Sequence, residues 1–437
     1  MSTLAKRLME RHFGDSAETL VIGGVPAEEL ARAHGTPLYA FDRGILERTY
    51  AELREALGDR VNVLFALKAN PSVGIAQVLR LKGAGAEVAS AGEIAVARQA
   101  GFDGSQMQFA GPGKHGDDLA YALDEGVTMN VESIGELEAI AAYAEARGAL
   151  APIALRVNPP DGSSGARMRM GGGSAKFGID REDLVDAAKH AHALPSVALR
   201  GLHTYAGTQT FDADAWLTSA HMLCDAAREV EGAIDAPLTT LNFGGGFGVP
   251  VFPKDTPFDL ERAGAGLQEL IAEDARPERS YFVELGRYLV AEAGVFLTRV
   301  IYTKESRGRR HAILDGGMNQ HATAAGLGSV FQRSFPVVKA NALNDAPSEE
   351  PPCLGGPLCT PADAFPAPPA LPELAPGDLV AFLVSGAYGL TFSNVLFLSH
   401  AMPSEVLVDE GTTRVLRARG VPDDAVRGQH ALDDPPC

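Results

Sequence analysis

The sequence predicts a closed (β/α)8 barrel followed by a smaller, mostly β domain. Three observations carry that expectation. Eight short apolar runs alternate with longer amphipathic segments between roughly Val61 and Glu284. Several of the amphipathic segments close on glycine, the usual residue just past a helix end. After Arg287 the texture changes to shorter strand-like pieces separated by proline and glycine. Eight β-then-α units match the closed parallel barrel, whose active site sits at the strand C-terminal ends.

In chain order, "TPLYAFDRGILERTYAELREAL" reads as a strand and then a helix leading into the barrel. The barrel strands are "VNVLFAL", "AEVAS", "MQFAG", "VTMNVES", "PIALRVN", "VALRGLHTYAG", "LTTLNFG" and "SYFVELG". Helical periodicity fills the gaps in "VGIAQVLRLKG", "GEIAVARQAG", "DDLAYALDEG", "IGELEAIAAYAEARG" and "ADAWLTSAHMLCDAAREVEGA". The later strands are "VFLTRVIYT", "RHAILDGG", "DLVAFLV" and "SEVLVD". The expected division is an N-terminal segment 1–41 joining the β domain, a barrel 42–292, and a β domain 293–437. "NDAPSEEPPCLGGP" and "PADAFPAPPALPELAPGD" read as proline-dense loops rather than core, and the tail from about Ala418 lacks periodicity.

At 437 residues and 46% hydrophobic, the chain can bury a large core. Its formal net charge of -18 argues against nucleic acid or an anionic membrane as a general partner. Small molecules fit better. Cys224, Cys353, Cys359 and Cys437 form no CxxC pair, and "MSTLAKRLMERHFG" lacks a signal-peptide apolar core, which points to a reducing cytoplasm. No uninterrupted apolar run is long enough to span a bilayer.

The strand ends hold the chemistry. Lys68 closes the first strand, at the catalytic face. A lysine there either snorkels to water or serves as an amine for Schiff-base chemistry, its pKa lowered by burial. The seventh strand ends in Gly244, Gly245 and Gly246, which can turn tightly and bring backbone N–H groups to a phosphate. The eighth ends in "VELGR", supplying Glu284 and Arg287 at the same rim. An amine, a glycine loop with an arginine, and an acid for a ring nitrogen together form a kit for pyridoxal 5'-phosphate.

The ordered set "FALKAN", "AEVASAGE", "GLHTYAGTQ", "NFGGGFG", "ELGR", "DGGM", "GPLCTPAD" and "SGAYG" resembles the fold-type III pyridoxal-phosphate-dependent decarboxylases. These include the diaminopimelate, ornithine and arginine decarboxylases, built as an alanine-racemase-like barrel plus β domain. The resemblance spans about residues 35 to 410. It implies that Lys68 links covalently to the cofactor aldehyde and that Glu284 pairs with the pyridine nitrogen. It also implies that Gly244 to Gly246, Arg287 and Tyr388 hold the phosphate, with Glu87, His203, Tyr205 and Thr208 also at the cofactor. Asp315, Met318, Thr360 and Asp363 fall at the substrate, and no metal is implied. Cys359 would reach the partner subunit's site, making the working unit a homodimer, and its tunable thiol is the candidate acid that reprotonates the substrate. The other three cysteines read as structural.

Departures from the family pattern bear on the substrate. Tyr205 stands in "HTYAGT" where better-known members carry a second, ring-stacking histidine. Thr360 follows the cysteine where diaminopimelate decarboxylases have a glutamate, and "GMNQHATAAG" lacks their arginine for the distal carboxylate. A pocket built for distal charges needs partners for them. The variants "HTYAGTQ", "GGGFGVP", "GPLCTP" and "SGAYGLTFS" resemble a secondary-metabolism subgroup typified by glutamyl-[acyl-carrier-protein] decarboxylase, with related members acting on siderophore precursors. The expected activity is therefore decarboxylation of an amino acid whose other end is conjugated. Diaminopimelate decarboxylase, an amino-acid racemase and a non-catalytic pyridoxal-binding regulator are the alternatives. A racemase of this fold would place an arginine, not Glu284, at the ring nitrogen. A silent relative would have lost Lys68 or Cys359.

Two segments stay open. The glycine- and serine-rich loop "NPPDGSSGARMRMGGGSAKFG" lies at the barrel mouth, where Arg167 and Arg169 either meet a substrate carboxylate or face solvent. "TKESRGRRH", with Lys304, Arg307, Arg309 and Arg310, is the one dense basic stretch; it reads as a solvated hairpin turn or as a dock for an acidic carrier.

Overall fold

The computed structural model describes the chain apart from residues 160–165, 170–173, 206, 328–333, 367, 369 and 433–437 and the side chains of 166–169. It divides into two compact units. One comprises Ile45–Pro250 with Lys254–Ala291, the other Met1–Gly44 with Val251–Pro253 and Glu292–Cys437.

In the first unit the eight expected runs form parallel strands. They are Val61–Ala66, Gly85–Val88, Met107–Phe109, Thr128–Val131, Ala151–Asn158, Val197–Thr204, Thr240–Gly245 and Ser280–Leu285. The last pairs with the first, so the barrel closes and its strands have no open edge. Both faces are covered, which is why the sequence of these runs is nearly continuous in apolar residues.

The helices between them begin where the sequence offers a cap. Ser90, Ser133, Asp212 and Asp259 each accept backbone N–H bonds at the first turn of the helix that follows. The helix Ile134–Arg147 ends on Gly148, whose φ of 59° is left-handed. It buries Leu137, Ile140, Ala141 and Ala144, the i, i+3, i+4, i+7 stripe of a helix facing a core. Each fully buried Leu or Ile stabilises by about 1.5–3 kcal/mol.

Lane register sets the barrel lumen. Ala66 pairs with Glu87, Glu87 with Gln108, Arg156 with His203, and His203 with Asn242. Paired residues on neighbouring strands point the same way. Asn242 also bonds Gln108, two strands that are not neighbours, which places this polar layer inside the barrel. The first strand departs from expectation at its end: it stops at Ala66, and Leu67–Ala69 is a single 3₁₀ turn. Lys68 therefore sits just past the strand rather than in it.

The second unit is built on a sheet ordered Ala364–Phe365, Cys353–Gly355, Arg309–Leu314, Gly294–Ser306, Leu38–Asp42, Ser404–Asp409 and Thr412–Arg417. Leu38–Asp42, from the N-terminal segment, lies between Gly294–Ser306 and Ser404–Asp409 in this sheet. One expectation is corrected here. The proline-dense segments contain the short strands Cys353–Gly355 and Ala364–Phe365, and Leu354, Phe365 and Leu371 are core. Proline breaks the period-two pattern without preventing burial of the residues between the breaks. A 3₁₀ turn spans Pro422–Val426, and the Arg419 guanidinium donates to the Pro37 carbonyl at 2.7 Å. No helix among the described residues is long and apolar enough to cross a membrane.

Candidate active site

The polar layer of the barrel converges on Glu284 and Lys68. Glu284, at the end of the eighth strand, accepts from Asn242 Nδ2 at 2.7 Å and lies 3.2 Å from His203 Nε2. The same Asn242 amide donates to Gln108 Oε1 at 2.7 Å, and its carbonyl accepts the Gly244 N–H at 2.9 Å. One side chain thus ties the acid to the first residue of the glycine loop. Burial acts to raise the Glu284 carboxyl, but the adjacent His203, with Lys68 and Asn242, outweighs it and holds the group below the ordinary range. An ionised carboxylate is therefore preserved in a dry site.

Lys68 Nζ makes both contacts of a bidentate pair with Glu87, at 3.1 and 2.9 Å. Glu87 is buried, and burial raises its carboxyl against the opposing pull of Lys68. Tyr205 follows the sixth strand, and the Lys68 amine lies 5.6 Å from the centre of its ring. Glu93, on the next helix, accepts the Ala89 N–H at 2.8 Å, and burial together with nearby Glu87 pushes it up to about 7.

The glycine loop is required by contact rather than by flexibility alone. Gly244 and Gly246 have φ of 64° and 81°, and a Cβ on Gly244, Gly245 or Gly246 would meet a backbone oxygen at 2.3, 1.9 or 2.0 Å respectively. Arg287 opens the short helix Arg287–Val290 directly after the eighth strand. Thr208 lies in the strand Gly207–Thr210, which pairs with Ala166–Arg169. The side chain of Arg169 lies outside the described residues, as does that of Arg167.

The remaining expected residues belong to the second unit. Asp363 accepts the Met318 and Leu358 N–H groups, each at 2.7 Å, binding "DGGM" to the loop that presents Cys359. The Cys359 thiol is exposed. Thr360 Oγ1 accepts the Ala362 N–H at 3.3 Å within that loop. The Asp315 carboxylate accepts from the Thr36 and Thr298 hydroxyls and, at 2.8 Å, from the Arg299 N–H. Both aspartates thus brace backbone. Tyr388 has a left-handed φ of 52° and its carbonyl accepts from the Thr323 hydroxyl.

Comparison with known proteins now decides the family. A model described as the pyridoxal-dependent decarboxylase pyridoxal-binding domain matches residues 43–291. The chain belongs to the pyridoxal-dependent decarboxylases. It is 36% identical over 92% of its length, and 95% of the relative, to the L-glutamyl-[BtrI acyl-carrier protein] decarboxylase of Niallia circulans. It is 32% identical to the diaminopimelate decarboxylase of Methanothermobacter thermautotrophicus, covering 94% of this chain and 95% of that one. The solved diaminopimelate decarboxylase of M. jannaschii superposes with a TM-score of 0.87 at 26% identity, covering 96% of this chain and 97% of the other.

The barrel of this decarboxylase suits pyridoxal phosphate on its own chemistry. Glu284, buried and held below the ordinary carboxylate range, would pair with a protonated ring nitrogen. Lys68 would supply an amine for the aldehyde, and the Gly244–Gly246 turn, held free of side chains because each Cβ would strike a neighbouring strand's backbone, would present backbone to a phosphate.

The sequence reading passed over Gln108, Asn242, Glu132 and Arg156. Arg156 donates to Glu132 at 2.9 Å and both are buried, while Glu132 also accepts the Gly111 and Gly178 N–H groups. A signal was present: each is a polar residue within or just after a run otherwise apolar, where burial demands a partner.

Proposed function

We propose that the protein decarboxylates an amino acid presented as a conjugate on a carrier protein, in a secondary-metabolic pathway, as a homodimer whose Cys359 serves the barrel of the partner copy. The observation that carries this reading is Thr360, a short neutral side chain directly after Cys359 where a reader of a distal ammonium would stand. Similarity to the carrier-dependent relative over nearly the full chain supports it.

When bound, pyridoxal phosphate supplies the electron sink into which the bond to the leaving carboxylate discharges. Glu284 would hold negative charge toward the ring nitrogen of the bound group, and His203 and Asn242 keep Glu284 in place. Glu87 orients the Lys68 amine that would hold the aldehyde. Tyr205, its ring 5.6 Å from that amine, would shield the bound group from water. Cys359 returns a proton to the substrate α-carbon, and Asp363 fixes its loop through Leu358.

The test is to incubate the pyridoxal-phosphate-loaded protein with carrier-bound glutamate, free glutamate, diaminopimelate and lysine, and to follow CO2 loss by mass. Turnover of the carrier-bound substrate above the rest is expected. Preference for diaminopimelate would overturn the assignment.

A further inference from the structure

We propose that the hairpin Ile301–His311 is the docking arm for an acidic carrier domain bearing the amino acid on a flexible tether. This rests on the carrier-bound reading above. A chain of net charge -18 repels an acidic partner unless some local surface reverses the sign. The hairpin is that surface.

Residues Ile301 to Arg310 are exposed along both strands, so the arm stands clear of its own sheet. The register sorts its charges. Lys304 faces His311, Ser306 faces Arg309, and Glu305 faces Arg310. Cross-strand partners share a face. Lys304 and Arg309 therefore line one face with no acid among the hairpin residues on it, beside Tyr302, which is 70% exposed. Glu305 and Arg310 lie on the other face, where Arg310 is also ion-paired with Glu373. Arg307 sits at the turn with a left-handed φ of 52°. Of the four cations visible in the sequence, Arg310 is thus ion-paired, while Lys304, Arg307 and Arg309 make no ion pair among the described residues, though Lys304 shares a groove with Glu350 and Glu373. Arg309 is steadied by the Cys353 sulfur at 3.4 Å.

The arm is joined to the thiol loop by two strands. Arg309–Leu314 runs from the tip toward "DGGM", and Cys353–Gly355 runs parallel to it into Gly356–Cys359. Asp363 ties the two ends together. Five residues of strand place Arg309 about 17 Å from Leu314, just before "DGGM", which Asp363 ties to the thiol loop. A carrier held at the tip leaves that span for its tether.

The experiment uses the loaded enzyme, glutamate on an acidic carrier, and the same glutamate on free pantetheine. In Lys304→Glu/Arg309→Glu, KM for the carrier-bound substrate should rise roughly tenfold at low salt, with kcat and all pantetheine kinetics unchanged. Raising ionic strength should increase the wild-type KM for the carrier and leave the variant's unmoved. Lys304→Gln/Arg307→Gln gives a smaller rise in the same direction and serves if the reversal pair misfolds. Glu305→Gln, on the other face, should change nothing. An unaltered carrier KM, or equal loss with both substrates, overturns the docking arm alone. Failure of the wild type to turn over the carrier-bound substrate overturns the functional reading and the arm with it.

Discussion

The barrel unit and the hairpin arm use charge in opposite ways. In the barrel unit, Lys114 and Arg156 are nearly inaccessible, and each is paired with a buried acid, Glu136 or Glu132. On the arm, Lys304 and Arg309 stand in solvent on a face separate from the nearest acid of their hairpin. A buried ion forces its partner, because leaving one charge alone in low dielectric costs about 3–5 kcal/mol. An exposed ion forces nothing, since water screens it and such pairs contribute about 0–1 kcal/mol. The barrel-unit charges therefore bear on folding and catalysis, and the arm charges bear on encounter.

Five substitutions sharpen that contrast. Lys68→Ala should abolish CO2 release and the protein-bound chromophore together; borohydride labelling of another side chain instead would remove Lys68 from its role. Glu284→Gln should lower kcat by about 10²–10³-fold while the protein still binds pyridoxal phosphate. A drop of only a few-fold would show that the buried charge is dispensable.

Next in size is stability. Arg156→Met leaves Glu132 buried without its cation and should cost about 3–5 kcal/mol in urea unfolding. A change below about 1 kcal/mol would mean that the Gly111 and Gly178 N–H groups suffice for Glu132.

Glu93 gives a pH test. Its folded pKa, raised to about 7 from 4.5, means that the folded chain binds this proton more tightly than the unfolded chain does. Stability from this group is therefore full below 4.5 and declines as pH rises to about 7. Glu93→Gln should flatten that decline in a melting series across the window; an unchanged slope would assign the decline to another group. Smallest is the arm, where Lys304→Gln should shift stability by less than about 0.5 kcal/mol, whatever it does to carrier recognition. A larger loss would make the arm a structural element.

Much of the fold was legible because each barrel strand, covered on both faces, announces itself as an apolar run, and several helices begin at a Ser or Asp that caps them. The convergence of Lys68 and Glu284 on one barrel mouth was legible because both are charged residues at the ends of such runs, where a buried charge is out of place without a partner. Leu354 and Phe365 were not, since proline spacing hid strands of two or three residues. Asn242 was hidden for a different reason. Its partners Gln108 and Glu284 are 134 and 42 residues away, and nothing local records their approach.

The sequence by itself determined the strand and helix periods, the glycine positions and the residue types at the strand ends, because those depend on neighbours a few residues apart. Tertiary structure alone decided which polar groups meet across the lumen, that Asp315 and Asp363 brace backbone, and which face of the arm keeps its positive charge. Those outcomes follow from strand register and barrel closure, which join residues distant in the chain and so leave no pattern within it.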